Sequence, residues 1–134
     1  MYIYNTKIRL FHTDASNLIF FNSLFNIVYE CYEEFLENSE FSVKNILSDN
    51  KFHMPVVHAE ADYYKPLRIG DKIEIRMTLN SSGKSSFTLD FVLFNESGEK
   101  TARVKTVSVV VEVKSGKPIK IPEKLFKILN SLNN

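Results

Sequence analysis

Residues 20–37 read FFNSLFNIVYECYEEFLE, and the fold turns on this stretch. Phe21, Phe25, Val28, Tyr32 and Phe35 recur at steps of four and three. Phe20, Leu24, Ile27 and Cys31 form a second row beside them. That spacing is the period of an α-helix, and two adjacent rows give it a wide apolar surface. Polar groups are confined to Asn22, Asn26, Glu30, Glu33, Glu34 and Glu37. The pattern predicts a helix of roughly four to five turns that other structure encloses on most sides.

On the amino-terminal side, Tyr2 to Phe11 alternates loosely and reads as a strand. His12-Thr13-Asp14-Ala15-Ser16-Asn17 follows as a polar turn cluster. Beyond the helix, Asn38 to Pro55 is a polar connection with a turn of helix around Val43 to Leu47. Val56 to Tyr64 reads as the second strand. Ile73, Ile75, Met77 and Leu79 then alternate with polar residues, as do Phe87, Leu89, Phe91 and Leu93. Turn signals at Asn80–Lys84 and Asn95–Glu99 separate these runs. Val104 to Val113 reads as a central strand, and Pro122 opens a last short helix with Leu125, Phe126 and Leu129 packing back. A strand, a helix and four strands in a meander make an α+β domain. The expected architecture is the hotdog: a five-stranded antiparallel sheet wrapped around one long apolar helix, as a single domain over residues 1–134.

The bulk numbers remove several function classes. Seventeen basic and sixteen acidic residues leave a net charge of +1, without the basic excess that nucleic acid demands. The single cysteine, Cys31, makes neither an internal disulfide nor a zinc framework, and three scattered histidines supply no metal-ligand spacing. The first residues alternate, unlike a signal peptide, and no apolar run approaches the roughly 20 residues of a membrane span. The expectation is a cytoplasmic protein with no nucleic-acid or membrane partner, no metal and no cofactor.

Two stretches carry a family resemblance. Phe11-His12-Thr13-Asp14-Ala15-Ser16-Asn17-Leu18-Ile19-Phe20-Phe21-Asn22 resembles the signature of the 4-hydroxybenzoyl-CoA thioesterase family, in which a loop aspartate precedes a glycine and an apolar-aromatic run into the helix. Pro55-Val56-Val57-His58-Ala59-Glu60-Ala61-Asp62-Tyr63-Tyr64-Lys65-Pro66-Leu67-Arg68-Ile69-Gly70-Asp71 resembles that family's second strand and its Pro-Leu and Gly-Asp turn, and is similar to the 1,4-dihydroxy-2-naphthoyl-CoA thioesterase branch. The sequence departs from the pattern at His12, where the family commonly has an acidic residue, and at Asn17, where it has glycine. Asparagine tolerates the left-handed turn that glycine would supply.

Read locally, Asp14 is a turn or helix-capping aspartate. The resemblance implies the chemistry: hydrolysis of an aromatic or short acyl-CoA thioester to free acid and CoA. Asp14 would be the nucleophile or general base, and the Phe21 backbone N–H would polarise the carbonyl. Unpaired N–H groups at a helix start can do this when aimed at a developing oxyanion. Asn17, Phe20, His58 and Tyr64 are the substrate-binding candidates, with His58 reaching a neighbour's pocket. Lys84, Arg103 and Lys105 are candidates for the CoA phosphates. The family works as a homodimer or homotetramer with sites between protomers. Glu33 and Glu34 read as a solvated stripe, and Ser16 lacks a nucleophile elbow. A hydratase would need a histidine where Leu18, Ile19, Phe20 and Phe21 stand. The alternative function is a non-catalytic acyl-CoA-binding or regulatory hotdog protein.

Overall fold

A computed structural model describes residues 1–133. The chain runs β1 (Tyr2–Lys7), a 3-10 turn (Leu10–His12), α1 (Ser23–Glu37), α2 (Val43–Asp49), β2 (Phe52–His53), β3 (Val56–Tyr63), β4 (Lys72–Ser82), β5 (Ser86–Asn95), β6 (Lys100–Val109), β7 (Val111–Glu112), α3 (Glu123–Asn130) and a closing 3-10 turn (Ser131–Asn133). Asn134, the last residue of the expected domain, lies outside the described residues.

Five strands form one antiparallel sheet in the order β1-β4-β5-β6-β3, and β2 and β7 pair as a separate ribbon. Strands β4, β5 and β6 are the hairpin meander that the turn residues predict. The second main strand is not part of it: β3 lies at the far edge against β6, with Ala59 opposite Thr106 and Ala61 opposite Val104. The link after β3 carries the chain across the end of the sheet to β4, beside β1. The Ile8 N–H donates to the Asp71 carbonyl and the Gly70 N–H to the Ile8 carbonyl, 2.9 and 2.8 Å, which fixes that crossing. Gly70 turns there at φ +86°, a conformation that glycine adopts without strain.

The alternation in β4 and β5 becomes burial. Ile73, Ile75, Met77, Phe87, Leu89, Phe91 and Leu93 form one face, and Leu24, Ile27, Val28, Cys31 and Leu36 of α1 complete the core with them. Each fully buried Leu or Ile contributes about 2 kcal/mol relative to exposure. The helix differs from the expectation in two ways. It begins at Ser23, because the Ser23 N–H turns back to the Phe20 carbonyl, so Phe20 and Phe21 are a lead-in and not helix. It is also covered on one side only within the protomer: Asn26, Tyr29, Glu33, Glu34 and Glu37 face solvent, and α2 and α3 accompany it. Strand β6 also stops short of Val113. Val110 turns inward to full burial, its N–H donating to the Ser85 carbonyl, and the next two residues pair with β2.

Candidate active site

The loop between β1 and α1 is held by main-chain bonds. The Phe20 N–H donates to the His12 carbonyl at 2.8 Å and the Asp14 N–H to the Leu18 carbonyl at 2.9 Å, while Thr13 bridges Ile19. Asn17 makes the reversal at φ +64°. The loop rests on the segment after β3, through the Ile19 N–H to the Leu67 carbonyl at 2.8 Å and a bridge from Leu18 to Arg68. Leu67 is buried beneath it. One donor is left over: the Phe21 N–H has no hydrogen-bond partner among the described residues. The Phe21 carbonyl accepts from the Tyr63 hydroxyl, so the same peptide chain segment is anchored to the end of β3.

Asp14 stands at the tip of this loop and is exposed. Its Oδ1 accepts from the Ser16 N–H at 2.8 Å and from the Ser16 hydroxyl. These bonds favour the charged form, first the hydroxyl and then the N–H, and hold the carboxyl below the usual carboxylate range. Asp14 is therefore ionised at neutral pH. The local reading is met: the Asx-type turn to Ser16 engages Oδ1, and the carboxylate remains an exposed anion.

His12 is the opposite case, 2 % exposed. Its Nδ1 accepts the Arg9 N–H at 2.9 Å, so the neutral ring carries its proton on Nε2, which is buried without a partner. Burial pushes the ring's pKa down; Glu30 pulls it up and Arg9 pushes it further down.

One concavity lies against the loop, and a second lies farther along α1. Leu18, Ile19, Tyr63, Tyr64 and Leu67 line a cleft of about 310 Å³, which places the candidate Tyr64 against the loop. Along α1, Phe21, Phe25 and Tyr29 follow one another at four-residue steps, Phe21 65 % and Tyr29 46 % exposed. They lead to an apolar hollow of about 490 Å³ among Tyr29, Tyr32, Leu36, Ile46, Leu47, Met54 and Pro55. From Phe25 to Tyr29 is about 6 Å along the helix, and Phe21 precedes its first residue. A polar concavity of about 560 Å³ at the β1 edge, lined by Lys7, Arg9, Lys72 and Glu74, is lined by neither Asp14 nor Tyr63.

The structure places Asp14, Asn17, Phe20 and Phe21 on one loop and Tyr64 in the cleft against it. It does not bring His58 to them within a protomer: His58 projects from the outer face of β3, 3.3 Å from Glu60. Arg103 and Lys105 also face outward, Arg103 paired with Asp90 at 3.1 Å, and Lys84 sits in the β4–β5 hairpin at the opposite end of the sheet. Glu33 and Glu34 are exposed on α1. Cys31 is buried with its thiol pushed up to about 12, which leaves it no thiolate to act as a nucleophile. Among the described residues no group of three or more His, Cys, Asp or Glu could hold a metal ion, and no helix is long and apolar enough to cross a membrane. Sequence reasoning missed Tyr63. No pattern in side-chain type marked it: Tyr63 is the last residue of β3, on the same face as Ala59 and Ala61, and its part rests on a bond to a main-chain carbonyl.

The model of the thioesterase-like superfamily matches residues 7–129. A 1,4-dihydroxy-2-naphthoyl-CoA hydrolase of Gloeothece citriformis is 31 % identical over 99 % of this chain and 94 % of its own. The Rippkaea orientalis hydrolase of the same name is 32 % identical over 98 % and 96 %. The crystal structure of a 1,4-dihydroxy-2-naphthoyl-CoA thioesterase from Synechocystis superposes with a TM-score of 0.92 at 26 % identity, covering 99 % of this chain and 98 % of that one. With an α+β hotdog sheet and relatives of this kind along nearly its whole length, the chain belongs to the thioesterase-like superfamily and is a thioester hydrolase.

Proposed function

We propose that the protein hydrolyses an aromatic acyl-CoA, with 1,4-dihydroxy-2-naphthoyl-CoA the first substrate to test, and that Asp14 and the Phe21 N–H carry the chemistry. The relatives' names support the substrate class. The observation that carries the site is the unpaired Phe21 N–H on the loop that presents ionised Asp14. A donor with no partner is free to meet the oxygen of the thioester carbonyl as it gains charge. Asp14 either takes a proton from a water whose oxygen attacks the carbonyl carbon, or attacks that carbon itself to give an anhydride that water cleaves. In both routes the carbon–sulfur bond breaks, the thiolate leaves and takes up a proton, and the products are the free acid and CoA.

The acyl group lies along Phe21, Phe25 and Tyr29, with Ala59 and Ala61 of β3 giving it room. Phe20 and Tyr64 shape the entrance, and Asn17 sets the turn. Strand β3 is a sheet edge with Val56, Val57 and Tyr63 between 39 and 60 % exposed, an edge that invites pairing. Pairing with its own copy makes a homodimer, and a homotetramer is two of these. Ser108 joins Val56 and Phe87 in register, so the β4–β5 hairpin lies at the Val56 end of β3. Antiparallel self-pairing brings that end of one protomer to the Tyr63 end of the other. Lys84 of the partner subunit then approaches the site and meets a CoA phosphate, and His58 sits at the interface. The whole chain acts as one hotdog domain, and a cytoplasmic location suits a substrate whose phosphates keep it from crossing membranes.

Hydrolysis rates across a panel of aromatic and aliphatic acyl-CoAs test this reading. The expected result is the largest kcat/KM for a fused aromatic acyl group. A well-folded protein that binds these thioesters but hydrolyses none of them would overturn it.

A further inference from the structure

We infer that His12 is a positioning residue for this hydrolysis: its buried ring, latched through Nδ1 to the Arg9 N–H, holds the loop in the register that leaves the Phe21 N–H free beside Asp14. The inference rests on the proposed roles of those two residues.

One residue ties both ends of the loop. The ring fixes His12 to the turn after β1, and the His12 carbonyl takes the Phe20 N–H at 2.8 Å. With Phe20 satisfied, the next donor along the chain is the unpaired one. The ring also carries a buried Nε2 donor without a partner, an arrangement that weakens the fold. A side chain that only filled this space would not need it. The latch works only while Nδ1 is an acceptor. Protonation places a second donor against the Arg9 N–H and a cation near the Arg9 guanidinium, with Glu30 of α1 the facing anion. The ring of Phe11, 4.2 Å away between centroids, offers no charge. The depressed basicity of the ring agrees with this: the fold keeps His12 neutral. Acid that protonates the ring should therefore release the loop.

The test compares His12→Asn, whose Oδ1 can replace the Nδ1 acceptor without titrating, with His12→Leu, which removes the acceptor. His12→Leu should lower kcat about tenfold or more with KM within about twofold, and His12→Asn should restore kcat to within about threefold. The acid limb of the kcat profile should move to lower pH in His12→Asn. An unmoved acid limb, or full kcat in His12→Leu, would overturn the inference, and should His12→Leu fail to fold, the profile of His12→Asn decides. Exchange of the Phe20 amide, followed by NMR, gives an arm that needs no turnover. Its protection should fall on acidification in the wild type and persist in His12→Asn; equal behaviour overturns the inference. An inactive wild type would refute the proposed function, and the amide readout would still decide the latch.

Discussion

The Tyr63 hydroxyl donates to the Phe21 carbonyl, tying the last residue of β3 to the residue whose own N–H is unpaired. The bond joins the sheet edge to the loop, so Tyr63 fixes the peptide that follows Phe21, next to the one that carries the proposed oxyanion donor. Tyr63→Phe keeps the ring and removes the bond, which is worth about 1 kcal/mol net. The expected outcome is a fall in kcat of about fivefold, with KM little changed, in steady-state assays.

Ser16 governs the titration of Asp14. Its hydroxyl and N–H hold the Asp14 carboxyl below its ordinary 3.8, so the group stays charged until the pH falls beneath that value. Ser16→Ala removes the larger of the two effects and should raise the Asp14 pKa towards the ordinary carboxylate range. Carbon-detected NMR titration of the Asp14 carboxyl checks this: the midpoint should move up in Ser16→Ala, never down.

Asn17 sits at φ +64°, where glycine is at ease and a β-branched side chain is strained. Asn17→Gly should leave the melting transition and kcat close to wild type. Asn17→Val should destabilise by about 1–2 kcal/mol and slow turnover, because the loop can no longer close at Asp14. Chemical denaturation of the two variants side by side gives the comparison.

Much of the fold was legible because period and burial coincide. Ile73, Ile75 and Met77 alternate in sequence and all point into the core, and the turn residues of both hairpins stand where the chain reverses. The place of β3 was not legible, since nothing in Val56–Tyr63 states which neighbour its main chain bonds; that choice is made by the Ile8–Asp71 crossing at the other end of the sheet. The breadth of the apolar pattern around α1 also misled. Phe21 belongs to the helical rows but precedes the helix and stays exposed in the protomer, along the wall that we assign to substrate. The loop that carries the proposed site residues Asp14, Asn17 and Phe21 stands out in the sequence by its motif. Tyr63 and the ring of His12 do not, because their parts rest on hydrogen bonds to main-chain atoms, which leave no pattern in side-chain type.

The proposed reacting carboxylate is that of Asp14. Asp14→Asn preserves shape and can still accept from Ser16, but loses the charge. With Asp14 as base or nucleophile, kcat on 1,4-dihydroxy-2-naphthoyl-CoA should fall about 100- to 10,000-fold, with the melting temperature close to wild type. Hydrolysis by Asp14→Asn within about fivefold of wild type would contradict this role, because no loss on that scale fits a general base or nucleophile.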